Sequence, residues 1–537
     1  MTNPTLTLEG VSHALPDGRA LFSDLNAVFD QQPTGLVGRN GVGKTVLARI
    51  LAGRLAPTTG RCVRTGRVHY LPQQIGLPAD GTVASLAGVQ DALDALARIE
   101  AGSIAQADFD AVGERWDLRQ QLRQALERHG LGHLDASAPA QALSGGEAMR
   151  VALVGALLSA ADFLILDEPS NHLDRTHRQA LIEQLRHWPR GLLVISHDRM
   201  LLEGMARIVE LSPLGLRSYG GNHTFYARSK AQERQNAVAQ LEQRQLERRR
   251  GEQAMREQRE RQERRLARGT RQAKDANQAR ILLDRQKERS EGSTGRLRQQ
   301  QAAAREQLAV RVREAARQVE DEVAIALHAW PAALPPRRQV AELDAVELPH
   351  VPGPTRRIDL ALAGPRRVGV IGPNGCGKST LLRVMAGLLA PLSGTCQVNV
   401  GCAYLDQRLT SLDPLRSVLE QMQAAHPGAT QGNQRMQLAQ LGLDAGKIMV
   451  PSGSLSGGER LKAALACALY AERPAQLLLL DEPGNHLDLP SLRALEALLT
   501  GYQGALLVVS HDDAFLDALA LTDRLSATPQ GWRLAPW

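Results

Sequence analysis

The segment GRNGVGKT at residues 38–45 decides the fold, because it follows an apolar run and has the form GxxxxGK[ST]. In a loop of this form the backbone N–H groups converge on phosphate oxygens, and the helix that follows adds a partial positive charge. Lys44 then supplies a positive charge to the β- and γ-phosphates, and Thr45 supplies a hydroxyl group to Mg²⁺. GPNGCGKS at residues 372–379 repeats the pattern. Two matches indicate two phosphate-binding domains.

Further short motifs repeat in the same order after each phosphate-binding loop. They are LPQ and LDQ around Gln73 and Gln407, LSGGE at 143–147 and 455–459, LDEPSNHLD at 166–174 and LDEPGNHLD at 480–488, and SHD at 196–198 and 510–512. The spacing between the copies is 334 residues at the loops and the glutamines, but 312 at LSGGE. A duplicated domain explains the shared order. The 22 additional residues of the first copy predict a larger helical subdomain there.

The segment between the copies has a different composition. Residues 227–320 hold 25 Lys and Arg against 14 Asp and Glu, so this segment carries a net charge of +11, the whole chain +7 and the remainder −4. The segment has neither proline nor aromatic residues and is rich in Gln, Arg, Glu and Ala, which favour helices. We predict a basic helical hairpin whose turn lies between Gly269 and the cluster at 292–295.

Composition and cysteine usage bound the class of protein. The 537 residues are 43% hydrophobic and 23% charged, as in globular proteins of several domains. Five cysteines form no CxxC pair, and their odd number argues against a disulfide framework. The N-terminal segment has no secretory signal pattern, and the longest apolar stretch, Val151–Leu166, is too short for a membrane span and contains Asp162. These features predict a soluble, cytoplasmic protein.

Each copy carries two adjacent carboxylates at the end of an apolar strand. The pairs are Asp167 with Glu168 and Asp481 with Glu482. The aspartates are placed to hold Mg²⁺ through water, and the glutamates are placed to polarise the attacking water as general bases. An isolated acidic turn after a strand is usually structural, but its recurrence beside a phosphate-binding loop favours catalysis.

A histidine follows a second apolar strand in each copy. His197 comes after LLVIS and His511 after LLVVS. A lone histidine at a strand end is usually a hydrogen-bonded structural residue. Because both histidines lie downstream of phosphate motifs, we predict that they sense the γ-phosphate.

The phosphate loop, glutamine loop, LSGGE, apolar-DEP and SHD in this order resemble the ATP-binding cassette (ABC). Two cassettes, NHLD after each DEP, a charged helical linker and YGGNHTFY at 219–226 resemble the F subfamily, ABC-F. The resemblance implies an α/β fold: two P-loop ATP-binding cassette domains, each a mixed sheet core with a helical subdomain, joined by an α-helical hairpin linker. We predict cassette 1 at 1–224, the linker at 225–335 and cassette 2 at 336–537.

The resemblance further implies an ATPase whose cassettes close head to tail around two ATP molecules within one monomer. Ser144–Gly146 would then face the nucleotide held by Lys378, and Ser456–Gly458 the nucleotide held by Lys44. Neither site is complete in one cassette. ATP would therefore hold the cassettes closed, and its hydrolysis would let them open. Asp174 would lie at the interface between the cassettes, as would its repeat at 488.

The implied site residues form two sets of ligands. The residues expected to bind ATP are Gly38, Asn40, Gly41, Gly43, Lys44, Thr45, Gln73, Ser144, Gly145, Gly146, Gly372, Asn374, Gly375, Gly377, Lys378, Ser379, Thr380, Gln407, Ser456, Gly457 and Gly458. The residues expected to hold Mg²⁺ are Thr45, Ser379, Asp167, Asp481, Gln73 and Gln407.

The sequence departs from the usual cassette pattern at the base of the nucleotide. Cassettes usually stack adenine on an aromatic residue upstream of the phosphate loop. Leu15 stands at that place in the first copy, and ELPHVPG at 347–353 has no Phe, Tyr or Trp in the second. The sequence therefore leaves GTP open as a second nucleotide.

The resemblance implies a translation factor that binds the ribosome and brings its hairpin near the peptidyl-transfer centre and transfer RNA. Arg and Lys suit salt-sensitive binding to the RNA backbone, while the missing aromatic residues argue against base stacking. The expected RNA contacts are Arg264, Arg265, Arg268, Arg271, Lys274, Arg280, Arg285, Lys287 and Arg289. The alternative for such a charged segment is a solvated helix of mixed charge.

Three other functions stay open at this stage. Protection of the ribosome from an antibiotic belongs to the same class and ranks second. The ATPase subunit of a transporter would need a separate membrane partner and gives the basic arm no use. A DNA-maintenance ATPase is disfavoured because zinc-type cysteine clusters are missing, so neither a membrane nor a DNA partner is expected.

Overall fold

A computed structural model describes residues 4–77, 80–159, 161–171, 173–275, 299–316, 334–485 and 487–537, without the side chains of 262, 265, 266 and 269–275. The chain forms two compact units, one of Met1–Thr224 with Val323–Trp537 and one of Phe225–Glu322. Both copies of the repeat belong to the first unit. The predicted domain boundaries at 224/225 and 335/336 stay a prediction.

Cassette 1 alternates strands and helices in the order expected for an α/β domain. Its strands are β1 Leu6–Ala14, β2 Ala20–Phe29, β3 Thr34–Val37, β4 Thr59–Arg64, β5 Val68–Leu71, β6 Phe163–Asp167, β7 Gly191–Ile195, β8 Arg207–Ser212 and β9 Gly215–Tyr219. Its helices are α1 Lys44–Leu51, α2 Val83–Leu86, α3 Gln90–Glu100, α4 Gln106–Val112, α5 Leu118–Arg128, α6 Gly145–Leu158, α7 Arg175–Arg186 and α8 Arg199–Glu203.

Two long helical stretches follow, and then the second copy repeats the pattern. The stretches are α9 His223–Asp275 and α10 at 299–316. The strands of cassette 2 are β10 Gln339–Glu347, β11 Arg357–Ala363, β12 Arg367–Ile371, β13 Ser393–Val398, β14 Cys402–Leu405, β15 Leu477–Asp481, β16 Ala505–Val509, β17 Asp523–Thr528 and β18 Gly531–Pro536. Its helices are α11 Lys378–Met385, α12 Val418–Ala425, α13 Gln431–Gln440, α14 Gly457–Leu469, α15 Leu489–Gly501 and α16 Asp513–Ala518.

The two cassettes have the same sheet topology, which confirms the α/β fold with a mixed sheet core in each cassette. The larger sheet of cassette 1 has the order β5-β6-β7-β3-β8-β9, and that of cassette 2 has the order β14-β15-β16-β12-β17-β18. Five strands of each run parallel and the last is antiparallel. A smaller antiparallel sheet, β2-β1-β4 or β11-β10-β13, accompanies each one. Because the parallel strands end at one edge, the loops that follow β3, β6 and β7 meet there.

The strands β6, β7, β15 and β16 are buried along their whole length. This explains their unbroken apolar sequences, because a parallel strand covered on both faces has no side that must be polar. Between the glutamine loop and the LSGGE helix, the described residues form four helices in cassette 1, α2 to α5, but two in cassette 2, α12 and α13. The 22 additional residues therefore enlarge the helical subdomain of cassette 1, as predicted.

The second compact unit contains an antiparallel pair of helical segments. Arg259 Nε donates to Gln301 Oε1 at 2.7 Å, and Gln301 Nε2 donates to Gln258 Oε1 at 3.3 Å. Nearer the base, a methyl group on Gly251 would meet Leu308 Cδ1 at 2.8 Å, so the arms are close there. The predicted turn lies outside the described residues. Although α9 has 53 residues, no helix of the described ranges is both long and apolar enough to cross a membrane.

Candidate active site

Each phosphate-binding loop is shaped by glycines with left-handed backbone angles. Gly43 has φ of 104° and Gly377 has φ of 99°, directly before α1 and α11. Lys44 Nζ donates to the carbonyl of Gly38 at 2.7 Å, and its repeat Lys378 donates to that of Gly372 at 2.9 Å. Each lysine thus folds back over its own loop, beside the N–H groups at the N-terminus of the helix. This arrangement fits a phosphate group, because the ammonium and the helix start converge on one point.

A hydroxyl and a carboxylate meet beside each loop, as a magnesium site requires. Burial raises the pKa of Asp167 and of Asp481, and the neighbouring hydroxyl, Thr45 or Ser379, opposes this effect. Asp167 Oδ1 is buried without a hydrogen-bond partner among the described residues. The part of the chain that the structure describes holds no group of three or more His, Cys, Asp or Glu arranged around a metal. Mg²⁺ would therefore complete its coordination with phosphate and water oxygens, as it usually does.

A tyrosine on the neighbouring strand supports each of these aspartates. Tyr70 donates its hydroxyl to Asp167 at 3.2 Å, and Tyr404 donates to Asp481 at 3.1 Å. Burial raises the pKa of both tyrosines to about 12, so both hydroxyls stay protonated and can donate. The sequence shows a tyrosine three residues before each glutamine, but only the pairing of β5 with β6 and of β14 with β15 brings it to the carboxylate.

The two glutamates are held in a strained backbone conformation next to the histidines. Glu168 has φ of 51° and Glu482 has φ of 50°, angles that non-glycine residues rarely adopt. His197 Nε2 lies 3.6 Å from Glu168 Oε1, and His511 Nε2 lies 3.5 Å from Glu482 Oε1. Strain of this kind costs about 1–3 kcal/mol and is typical of functional sites. Each glutamate is therefore positioned together with the histidine of its own cassette.

Burial sets the protonation of these groups in the absence of nucleotide. It raises the pKa of Glu168 and of Glu482 to about 8, an effect that the nearby lysine ammonium opposes. It also lowers the pKa of His197 to about 3 and that of His511 to about 4, so both imidazoles are neutral at pH 7. A buried carboxyl with a raised pKa suits a general base near neutral pH.

Contacts between the cassettes join each phosphate loop to the opposite copy. The backbone N–H of Asn40 donates to Asp488 Oδ2 at 2.9 Å, and that of Asn374 donates to Asp174 Oδ2 at 3.5 Å. Asp174 and Asp488 also cap the N-termini of α7 and α15 with their side chains. His511 Nε2 lies 3.1 Å from Asn374 Oδ1 of its own cassette. The aspartates that the sequence places at the interface thus contact the loop of the other cassette.

One cleft of 1370 Å³ contains elements of both copies. Ser144, Gly145, Gly146 and Gly457 line it, as do both lysines, Lys44 and Lys378. Ser144 and its repeat at 456 are N-caps with complete capping boxes at the starts of α6 and α14.

Most of the predicted ATP and magnesium ligands lie around this cleft. Those that line it are Asn40, Gly41, Gly43, Lys44, Thr45, Gln73, Ser144, Gly145, Gly146, Asp167, Asn374, Gly375, Gly377, Lys378, Ser379, Thr380, Gln407, Gly457 and Asp481. Among the described residues, the predicted ligands that do not line it are Gly38, Gly372, Ser456 and Gly458. Gly38 and Gly372 instead hold the lysines. A methyl group at Gly458 would meet Ser491 Oγ at 2.6 Å, so this glycine permits close packing on α15.

The lining of the cleft differs between the cassettes. Leu15, Arg19 and Leu21 line it in cassette 1, whereas His350 and Val351 line it in cassette 2. An imidazole therefore lines the cleft in cassette 2, where the segment at 347–353 offers no Phe, Tyr or Trp. Arg19 and His350 are residues that the motif pattern does not mark.

The predicted RNA contacts belong to the second compact unit. Arg264 and Arg268 are exposed on α9, and Arg264 forms an ion pair of 3.7 Å with Glu260. Arg265, Arg271 and Lys274 also belong to α9, but their side chains lie outside the described part. Residues Arg280, Arg285, Lys287 and Arg289 lie outside the described ranges altogether.

The fold and the paired sites define a twin-cassette ATPase. The family model described as ABC transporter matches residues 26–171 and 355–485. The chain belongs to the ATP-binding cassette family, and curated relatives that are about 31–33% identical place it in the F subfamily of that family. It is an ATPase whose cassettes bind ATP.

The curated relatives match over nearly the whole chain. The tylosin resistance ATP-binding protein TlrC of Streptomyces fradiae is 33% identical over 95% of this chain and 95% of its own length. The energy-dependent translational throttle protein EttA of Mycobacterium tuberculosis H37Rv is 33% identical over 90% of this chain and 84% of its own. EttA of Escherichia coli K12 is 31% identical over 96% and 90%.

Solved structures with two cassettes in one chain share the fold. The complex of archaeal ribosomal stalk protein aP1 with the archaeal ribosome recycling factor aABCE1 matches with a TM-score of 0.59 and 19% identity, over 98% of this chain and 89% of that chain. RNase-L Inhibitor matches with a TM-score of 0.58 and 19% identity, over 98% and 90%. At this identity the likeness bears on the fold alone.

Proposed function

We propose that this ATPase is a cytoplasmic translation factor that binds the ribosome while its cassettes are closed on ATP and brings its basic arm near transfer RNA and the peptidyl-transfer centre. The observation that carries the proposal is that two cassettes in contact through their phosphate loops are linked along the chain by a basic helical segment. The relatives named as a translational throttle protein point to the same process.

In the proposed cycle, each ATP lies between one phosphate-binding loop and the LSGGE segment of the other cassette. Lys44 and Lys378 neutralise charge on the β- and γ-phosphates. Thr45 with Asp167 would hold Mg²⁺ at the first site, as their repeats would at the second; the ion would neutralise phosphate charge. These assignments are supported by the grouping of the same side chains along one cleft.

Hydrolysis is assigned to the glutamate and histidine of each site. Glu168 and Glu482 orient the attacking water and accept its proton, since both line the cleft with side chains that are only 10% and 16% exposed. His197 and His511 donate a hydrogen bond to the γ-phosphate from a neutral ring, which their lowered pKa values support. Loss of the γ-phosphate would then remove contacts to both cassettes and favour opening.

The arm is assigned to RNA because of its charge and exposure. Arg264 and Arg268 are exposed and lie four residues apart, so they occupy one face of α9. Arginines arranged along a helix suit phosphate contacts, which weaken as the salt concentration rises. The arm would therefore supply the contacts to RNA phosphates when the ATP-bound protein is on the ribosome.

The test measures co-sedimentation with ribosomes in ATP, using the variant Glu168→Gln/Glu482→Gln to prevent hydrolysis. Reversal of two arm charges, Arg264→Glu/Arg268→Glu, is expected to weaken binding at least about tenfold at 0.15 M salt. The matched control is Arg249→Glu/Arg250→Glu, which changes the net charge equally at exposed positions nearer the base of α9. Equal binding by both variants and the parent would contradict the role of the arm.

Protection from an antibiotic is the second candidate, because the relative named for tylosin resistance matches over 95% of both chains. Its test is growth of a susceptible bacterium in tylosin, with and without expression of this chain. A higher inhibitory concentration that is lost in Glu168→Gln/Glu482→Gln would favour this candidate. An unchanged inhibitory concentration would favour a role in translation that does not involve tylosin.

Cell fractionation of the same double variant separates these functions from a transporter subunit and a DNA-maintenance ATPase. The proposal expects the protein in the ribosomal pellet. Recovery in the membrane fraction would favour a transporter subunit, and recovery in the nucleoid would favour DNA maintenance.

A further inference from the structure

One buried arginine lies between the two histidine loops and has no counterpart in the other cassette. Arg178 is in the first turn of α7, and its side chain is 12% exposed. Its Nε donates to Asp198 Oδ2 at 2.5 Å, and its Nη1 donates to the backbone carbonyl of His511 at 2.8 Å. Nη2 lies 4.0 Å from Asp512 Oδ1. This guanidinium therefore contacts the loop of cassette 1 and that of cassette 2 at once.

Both contacts lie next to catalytic groups. Asp198 follows His197 directly, and its other oxygen caps α8 by accepting the N–H groups of Met200 and Leu201. On the other side, the N–H of His511 lies 3.4 Å from Glu482 Oε2, while its carbonyl accepts from Arg178. A change in either loop is thus transmitted to the same guanidinium.

The repeat places no arginine at the corresponding position of cassette 2. Position 492 lies 314 residues after 178, the spacing that relates Asp174 to Asp488 and Asp198 to Asp512, and it holds Leu492. Leu492 is buried and lines the cleft. A leucine there cannot donate to the carbonyl of His197, so one arginine serves both loops.

We propose that Arg178 is a positioning residue that couples the two ATP sites by joining their histidine loops. The planar guanidinium group of an arginine carries several N–H donors, so it can bind a carboxylate and a carbonyl at the same time in a fixed geometry. Because the pair is buried, moving one loop without the other leaves a charge or a carbonyl unsatisfied. The loops therefore move together, and the state of one site alters hydrolysis at the other. This inference rests on the ATPase activity and stands whether or not ribosomes bind.

The experiment measures ATP turnover at the first site of the purified full chain in two states of the second site. In Glu482→Gln the second site keeps ATP without hydrolysing it, and in Lys378→Ala it binds nucleotide weakly. We expect the turnover number at the first site to differ at least about fivefold between these backgrounds. Adding Arg178→Leu, the residue found in the other cassette, is expected to bring the ratio below about two.

The matched control is Arg175→Leu. It also introduces the residue found at the equivalent position of cassette 2, Leu489. Arg175 forms an ion pair of 3.0 Å across the cassettes with Asp513, but its side chain is 60% exposed. This variant is expected to leave the ratio unchanged, because an exposed ion pair contributes little. The conservative variant Arg178→Lys keeps the charge and is expected to restore part of the ratio.

Two results would overturn the proposal. One is a ratio near one in the parent backgrounds, which would mean that the sites act independently. The other is an Arg178→Leu variant that slows the first site equally in both backgrounds, which would make the residue merely structural. If Arg178→Leu does not fold, Arg178→Leu/Asp198→Asn removes both members of the buried pair, and the same ratio decides.

Discussion

At the scale of the residue, the site depends on groups that the motifs name and on groups that support them. The motifs name Lys44, Asp167 and Glu168, whose chemistry follows from their order in the sequence. Tyr70 and Arg178 could not be assigned a role from the sequence, because their partners lie about 100 residues away along the chain or in the other cassette. Only strand pairing and contact between the cassettes bring such groups together.

The hydroxyl of Tyr70 is expected to tune the first magnesium site. It donates to Asp167, so Tyr70→Phe removes a bond that orients the carboxylate. Loss of such a supporting partner typically weakens metal affinity by about 10–100-fold. In the Glu482→Gln background, where only the first site hydrolyses, we expect the Mg²⁺ concentration for half-maximal ATPase activity to rise at least about tenfold.

The control for this variant is the other single-site background. In Glu168→Gln only the second site hydrolyses, and Tyr70→Phe is expected to leave its Mg²⁺ dependence unchanged. An equal effect in both backgrounds would mean that Tyr70 acts on the whole fold. No effect in Glu482→Gln would contradict the magnesium role of Asp167.

At the scale of the element, the sequence predicts which strands and helices exist better than it predicts where they end. The buried strands β6 and β15 follow from their apolar runs, and the larger helical subdomain follows from the spacing of the repeats. The turn is predicted between Gly269 and the cluster at 292–295, and α9 continues as a helix past Gly269 to Asp275. A single glycine costs about 1 kcal/mol in a helix, and neighbouring good helix formers offset that cost.

The first turn of α9 is expected to make the protein sensitive to acid. Burial, with help from Arg199 and Arg493, lowers the pKa of His223 to about 4. The unfolded chain, with an ordinary pKa of about 6.5, therefore binds a proton between pH 6.5 and 4 that the folded chain does not. This contribution to the free energy of unfolding is present above pH 6.5 and is lost as the pH falls toward 4.

The variant His223→Gln removes this titration. Between pH 7 and pH 5 we expect the midpoint of the first thermal transition to fall less for the variant than for the parent, by about 2–4 °C. Differential scanning calorimetry without nucleotide measures the difference. Parallel pH curves for the two proteins would show that His223 is accessible to protons in the folded state.

At the scale of the whole molecule, the weakly basic chain is the sum of two acidic cassettes and one basic arm. The repeat predicts this arrangement, since the motifs fix the cassettes and the arm is the segment without them. The pairing of the cassettes is an expectation from the family resemblance. In the structure, the hydrogen bonds of Asn40 with Asp488 and of Asn374 with Asp174 join the two cassettes. The repeat shows Arg178 opposite Leu492, but the role of this difference could not be predicted, because only the contact between the cassettes brings Arg178 to His511.

The central claim is that each ATP site consists of the phosphate loop of one cassette and the LSGGE segment of the other. Its most direct test is ATP turnover of Ser456→Arg in the two single-site backgrounds. Ser456 lies in cassette 2, and the account predicts that its bulky replacement lowers turnover at least about 100-fold in Glu482→Gln, where the first site works. Turnover in Glu168→Gln is predicted to stay within about threefold. Loss of activity in Glu168→Gln with activity retained in Glu482→Gln would contradict the claim.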